Sequence, residues 1–515
     1  MRQGHIKTSL FILLIWMTVL SACKKYSYYQ TNPNLPTVAV PSLMLTNICT
    51  DAKDATGNFI PGIFINNFSN NGDGSAFAAR YLAFYGASGS DEITYGWTTG
   101  SFSNYDIIRN VNQMDTVASA SGEQVYIGIG HFFRAVLFSQ LTEMFGDVPY
   151  SAALKAGSGN ITPVYDKQED IYVGVLNELD QANTILAQAA SAGTVILGDI
   201  IYNGSPSQWQ KAVNAFRLRL LIHLSKKTAD TKLNVVQQFN TIINNPSTYP
   251  LMSSIADNAQ IVYNTTDPSN YYPTYGFIPV TTLMNIEQGI ADTLITKQDP
   301  RLFAIAQPIT GMDAGIFANY AGVNAGLVSS DQQNAAKTAS LPADRYQYSE
   351  TNEPTMLIGY PEQEFLIAEA ITRGWITAGP GGITADSCYN TGIRASMQFY
   401  NTWASAGIAD ADISTYLAQP SVALSSSSAT AITQILTQKY IAMFLQSDFE
   451  PFIEQRRTGI PTFDVGPGTL NGGLVPKRWM YPVVEYQQNG TNVKAAVQSQ
   501  FGGTEDTNGV MWVLQ

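Results

Sequence analysis

Residues 123–150, EQVYIGIGHFFRAVLFSQLTEMFGDVPY, decide the fold class. Tyr126, Ile129, Phe133, Leu137, Leu141 and Met144 recur at steps of three and four, which lines them up on one side of an α-helix. Val125, Phe132, Val136 and Phe145 widen that stripe until little of the circumference stays polar, the pattern of a helix covered on two sides. Its neighbours must therefore be helices or chain on both flanks. Gly146 is placed to take a left-handed cap and Pro149 forbids continuation, so the segment ends in a fixed corner.

Outward from this helix the same period recurs in pairs. Residues 102–117 repeat Tyr105, Ile108, Val111 and Met114 and form the first antiparallel partner. Residues 166–190 align Tyr172, Leu176, Leu179 and Leu186, with Asp166, Glu169 and Asp170 in a first turn that favours negative charge. Ser207 and Gln210 read as a capping box ahead of Trp209, Val213, Phe216, Leu220 and Leu224. Helical order returns over 362–374, 387–404, 429–444 and 450–457, with small residues such as Ala368, Ala370 and Gly392 where two backbones can approach closely. Between these blocks, residues 246–355 carry prolines at 246, 250, 268, 273, 279, 300, 308 and 342 and no strong period. The expectation there is an irregular, loop-rich lobe with minor β-structure and a short helix over 281–292. Another short helix is expected over 77–85. The fold class is mainly α: an interrupted, tetratricopeptide-like array of about four helix hairpins, with no clean 34-residue period running through it.

The 515 residues exceed what one compact core usually holds, in keeping with a stacked array. With 28 basic against 40 acidic side chains and no basic stripe, nucleic acid is a poor partner. Arg2 and Lys7, an apolar run over 10–20 and Leu20-Ser21-Ala22-Cys23 read as a signal peptide (1–22) ending in a lipobox, so Cys23 is the expected lipid anchor. The remaining divisions are a tether and N-terminal segment over 23–68, the first part of the array over 69–245, the lobe over 246–355, and the second part of the array with the C-terminal segment over 356–515. A disulfide between Cys49 and Cys388 is compatible with export but not required by their spacing.

Five stretches in order, joined to the lipobox, resemble the SusD/RagB-like family of nutrient-binding outer-membrane lipoproteins. They are Phe145 to Pro149; the helix with Trp209, Arg217 and Arg219; Ala368-Glu369-Ala370 with Arg373 and Gly374; 438–459, QKYIAMFLQSDFEPFIEQRRTG; and the block with Arg478, Tyr481, Pro482, Glu485, Asn489 and Asn492. The resemblance implies a protein anchored by acyl chains in the outer membrane and facing the cell surface. It implies a TonB-dependent, SusC-like barrel as partner, to which an oligosaccharide, or else a peptide, is delivered. Lys24 and Lys25 depart from the acidic run expected of a surface-export signal, which leaves a periplasmic orientation open.

Catalytic signatures are missing. His131 and His223 sit inside apolar helices, where a packed, hydrogen-bonded ring is the simpler role, and there is no HExxH, no CxxC pair and no phosphate loop. Two carboxylates would suffice for a glycosidase, and Asp73, Asp91 and Glu92 lie in loops, so a helical glycoside hydrolase is one rival reading. A protein-binding tetratricopeptide-like scaffold is the other. Glu450, Glu454, Arg456 and Arg457 read as a structural group, arginines tying carboxylates and loop carbonyls at the end of the array, and no metal or other cofactor is implied. Binding is the better-supported class. Tyr95, Trp97, Tyr271, Tyr272, Tyr275 and Tyr320, with Tyr346 and Tyr348, cluster in polar, helix-poor stretches, where a flat ring suits the C–H face of a sugar. Asn104 and Asn270 are candidate readers of hydroxyls. Trp97 is the leading single candidate, because family members present an aromatic from the loop before the first array helix.

Overall fold

A computed structural model describes residues 39–50, 52–53, 59–60, 62–64, 74–84, 91–376 and 382–515. The signal peptide, Cys23, most of the tether and Asp73 lie outside the described residues. Ten helices carry the architecture: α1 (Pro41–Cys49), α2 (Asn104–Ser121), α3 (Gln124–Phe145), α4 (Gln168–Ser191), α5 (Pro206–His223), α6 (Val235–Asn244), α7 (Tyr360–Thr372), α8 (Ala385–Trp403), α9 (Ser428–Ala442) and α10 (Glu450–Thr458). From α1 to α5 each helix packs on the one before it. The array then crosses the irregular segment, with α5 against α7 and α7 against both α8 and α9. The fold is the interrupted helix-hairpin array expected from the sequence. No helix among the described residues is long and apolar enough to cross a membrane.

Packing follows from residue type at the crossings. α3 is buried on most of its circumference, between α2 and α4. At its end Gly146 has φ +88°, a conformation that strains any residue carrying a Cβ. Its ψ of −123° is not that of the expected left-handed cap, yet its N–H still closes on the Thr142 carbonyl at 2.8 Å. Between α7 and α8, Gly392 faces the Phe365 ring, where a Cβ would approach to 2.8 Å.

Several local expectations need correction. Ser205, not Ser207, caps α5, accepting from Gln208 N–H, because Pro206 with its preset φ takes the first helical position. Asp166 precedes α4 and instead accepts from the N–H groups of Tyr150 and Ser151 at 2.8 and 2.9 Å. Residues 77–85 are not one helix; a turn over Ser75–Ala78 is followed by a strand. Residues 281–292 divide likewise between a turn (Pro279–Thr282), a strand and the helix Gln288–Thr296. The last hairpin is looser than the others, since α9 finds its main partner in α7. Cys49 and Cys388 are both free, buried thiols.

Among the described residues, six short strands, β1 (Ala52–Lys53), β2 (Phe59–Ile60), β3 (Leu82–Phe84), β4 (Ala259–Ile261), β5 (Met284–Ile286) and β6 (Thr355–Ile358), form three antiparallel ribbons. β4 and β6 pair with Ala259 opposite Ile358 and Ile261 opposite Thr355. The ribbon thus brings the chain entering the irregular segment against the chain leaving it. β3 pairs with β5, Leu82 opposite Ile286, which ties the N-terminal segment to the same lobe.

Candidate functional site

The sequence-predicted rings divide into those turned inward and those left at the surface. Trp97 is 4 % exposed. Its indole stacks on Trp479 at 4.7 Å, meets Phe452 edge-on at 5.5 Å, and donates from Nε1–H to the Arg478 carbonyl at 3.2 Å. Trp97 is a core residue, which corrects its reading as a presented ring. Tyr95, at φ +53°, is buried beside it, with its hydroxyl donating to the Ala78 carbonyl at 2.9 Å and the Arg80 guanidinium 3.7 Å above its ring. Tyr320 packs on Phe303 at 5.5 Å. Asn104 donates from Nδ2 to the Leu137 carbonyl and to Gln140 Oε1, so it fixes α2 to α3. Tyr272 is also buried, edge-on to Tyr263 at 5.4 Å.

Tyr271 and Tyr275 behave differently, and backbone geometry explains why. Tyr271 is extended, so consecutive side chains point to opposite sides, Tyr272 into the lobe and Tyr271 away from it. A turn closed by Tyr275 N–H to the Tyr272 carbonyl at 2.9 Å then brings Tyr275 back beside Tyr271, ring centroids 5.3 Å apart and nearly perpendicular. Tyr275 is 40 % exposed. The Glu350 carboxylate beside its hydroxyl raises the phenol pKa. The segment is held from behind: Tyr272 N–H donates to the Glu350 carbonyl at 2.8 Å, Gly276 N–H to the Gln347 carbonyl at 2.7 Å, and Thr274 Oγ1–H to the Tyr346 carbonyl at 2.5 Å. On that supporting segment Tyr346 is buried and Tyr348, two positions on in a single helical turn, is 63 % exposed. Before it, residues 264–270 close on themselves, with Asn264 N–H to the Asn270 carbonyl at 3.0 Å and Asp267 accepting from Ser269 N–H at 2.8 Å. Tyr271 and Tyr275, with the Asn264–Asn270 knuckle leading into them, form an outward face on a braced backbone, and the exposed Tyr348 lies on the segment that braces it. Tyr348 is a member that alternation on the short helix selects over Tyr346.

The charged group near the C-terminus is a second, buried site. Arg457 forms paired bonds to Glu369 (2.7 and 2.9 Å) and to Glu454 (both 2.8 Å). Arg219 grips Glu362 with two bonds of 2.6 Å, and Lys439 lies 3.0 Å from Glu454. Arg373 pairs with Glu369 one turn away, as the sequence suggests. Burial opposes ionisation of Glu369 and Glu454. Arg457 beside both, with Lys439 at Glu454 and Arg373 at Glu369, nevertheless holds them below the ordinary carboxylate range. His223 sits between Glu143 (2.6 Å from Nδ1) and Glu450 (2.8 Å from Nε2). Burial works against its charge, yet Glu450 and Glu143 push its pKa up to about 10. Glu143, His223 and Glu450 bring three metal-ligand atoms within 4.8 Å of one another. An imidazolium donating from both nitrogens has no lone pair to offer, so the chemistry of this trio is ion pairing. The group joins α3, α5, α7, α9 and α10. Glu143 and Lys439 are members that sequence reading missed, since nothing local in α3 or α9 announces a charged partner on another helix. His131, at the edge of the array, bonds Glu178 beside Arg134.

The family model for SusD-like proteins, described as starch-binding and associating with the outer membrane, matches residues 33–482. The chain belongs to the SusD-like family. Two SusD homologues from Bacteroides fragilis are similar to it over 93 % of this chain and 100 % of theirs, at 36 % and 29 % identity and TM-scores of 0.81 and 0.82. A chitin-binding protein is similar at 26 % identity and TM-score 0.72, over 92 % of this chain and 99 % of its own. No curated protein matches the chain. SusD-like proteins bind their ligands rather than transform them, and this member is a binding protein, not an enzyme.

Proposed function

We propose that this SusD-like protein captures a nutrient glycan at the outer membrane and delivers it to a TonB-dependent, SusC-like barrel, held to the membrane by acyl chains on Cys23 and facing the cell surface. The observation that carries the binding step is the braced tyrosine face of the lobe. Tyr271 and Tyr275 stand edge to face with their outer surfaces open to solvent, and the backbone behind them is tied to residues 346–350. Rings fixed in advance lose little freedom when a sugar stacks on them. The family description as starch-binding and the likeness to a chitin-binding protein support a carbohydrate over a peptide. Trp97, Tyr95, Tyr272, Tyr320 and Asn104 serve this face only indirectly, by holding the body on which it stands.

Isothermal titration with soluble oligosaccharides tests the site. Tyr271→Ala with Tyr275→Ala should lower affinity at least tenfold while the circular dichroism spectrum and the melting curve stay the same. Unaltered affinity in the double variant for a glycan that the parent protein binds removes this face from the reading.

A further inference from the structure

We infer that the tyrosine face selects uncharged sugar chains and rejects polyanionic ones; the inference rests on the glycan-binding reading above. The face is built from residues 262–278 and 344–351, and these contain three acidic side chains, Asp267, Asp344 and Glu350, against one basic residue, Arg345. Arg345 does not face the sugar side. Its guanidinium is turned into the lobe, 2.7 Å from Glu353, bonded to the Ala304 carbonyl and to the Tyr346 hydroxyl. Asp267 is exposed one turn before Tyr271, and Asp344 is exposed one turn before Tyr348. Glu350 is half-buried beside Tyr275, and its carboxylate raises the pKa of that phenol. A uronate or sulfate stacked on these rings would meet carboxylates and, among the described residues of these two segments, no free guanidinium or ammonium. Recognition of such groups ordinarily uses charged, bidentate donors of that kind. At an exposed face the repulsion acts over about one Debye length, roughly 8–10 Å at physiological salt, which covers the sugar rings on either side of the stacked one. A neutral chain loses nothing of this sort, and the phenol and amide groups of the face can bond its hydroxyls.

The experiment uses the full-length protein and neutral hexasaccharides (maltohexaose, cellohexaose and N-acetylchitohexaose), each beside its C6-carboxylated counterpart with the same backbone and linkage. For the neutral chain that binds, the carboxylated form should bind at least tenfold more weakly in low salt. The gap should shrink in 0.5 M salt, and should narrow to within about threefold in Asp267→Asn/Glu350→Gln. Equal or tighter binding of the carboxylated chain, with Tyr275→Ala still lowering the affinity of both, overturns the inference and leaves the binding reading in place. A gap that survives both high salt and the double substitution also overturns it, because the discrimination would then be steric. If none of the chains, neutral or carboxylated, binds, the glycan-binding reading falls and the inference falls with it.

Discussion

The ion-pair junction among α3, α5, α7, α9 and α10 and the outer face of the lobe both carry glutamate and tyrosine, and differ in that the junction's are withdrawn from water and met by arginine, lysine and histidine. At the junction every carboxylate has a cation or a ring hydroxyl within bonding distance, and Tyr172 spends its hydroxyl on Glu143 at 2.8 Å. On the lobe, Tyr275 and Tyr348 are exposed, and Glu350, half-buried, stands beside the Tyr275 phenol. The difference teaches where binding energy is available. A buried charge fixed by several partners has nothing left to offer a ligand, while a half-exposed ring on a braced backbone has an unused apolar face.

That contrast predicts the largest stability loss at the junction. Arg457→Ala strips Glu369 and Glu454 of their shared partner, leaving Glu369 to Arg373 and Glu454 to Lys439 and, at 3.4 Å, His223. Breaking a buried pair from one side costs about 3–5 kcal/mol. Chemical denaturation should show a loss of that order, with glycan affinity of the folded fraction unaltered. The contrast breaks if affinity falls and stability does not. Trp97→Ala comes next. Removing an indole packed between Trp479 and Phe452 should destabilise by roughly 3 kcal/mol through lost burial and the cavity left behind. Because the ring is internal, any loss of binding should track the loss of folded protein.

His223 gives a pH signature to the same junction. Its pKa lies near 10 in the folded protein, above the ordinary histidine value of 6.5, so the protonated form is the one the fold favours. The stabilisation is complete below about pH 6.5 and is lost as pH rises toward 10. Glu287, pushed up to about 8 by burial and by Asp464, adds a slope of the same sign between about pH 4.5 and 8. Melting temperature should therefore fall from pH 7 to 10, and His223→Gln should flatten the upper part of that decline. An equal slope in parent and variant would show that the imidazolium is not what holds Glu143 and Glu450 together.

How much of this was legible in the sequence depended on whether the partners were local. The stripe from Tyr126 to Met144 repeats every turn, so α3, its neighbours on both sides and the stop at Pro149 could be read directly. Arg373 stands one helical turn from Glu369, and that pair is legible in the same way. Trp97 could not be placed, because Trp479 and Phe452 reach it only once the chain has folded back. A tryptophan in a polar stretch carries no mark of that encounter. The adjacent pair Tyr271-Tyr272 shows the limit within a single dipeptide. Composition treats the two rings alike, and only the extended backbone sends one inward and one outward. The capping of α5 by Ser205 instead of Ser207 was decided by Pro206, a local signal that the spacing of Ser207 and Gln210 masked.

The smallest expected effect on stability is also the sharpest test of the contrast. Tyr275→Ala and Tyr348→Ala remove rings that touch the lobe mainly through their backbones. Tyr275 leans on Tyr271 and Glu350, and the turn that carries it is closed by the N–H groups of Tyr272, Tyr275 and Gly276, none of which needs the phenol. Unfolding midpoints should therefore stay within error of the parent protein, in contrast to Trp97→Ala. If Tyr275→Ala instead lowers the midpoint, its ring is acting as mortar between residues 264–278 and 346–350, and the distinction between a structural core and a free face would hold for Tyr348 alone. If the midpoint holds and glycan affinity drops, stability and binding are carried by separate sets of aromatic residues, although both sets are drawn from the same loop-rich, tyrosine-dense stretches of the chain.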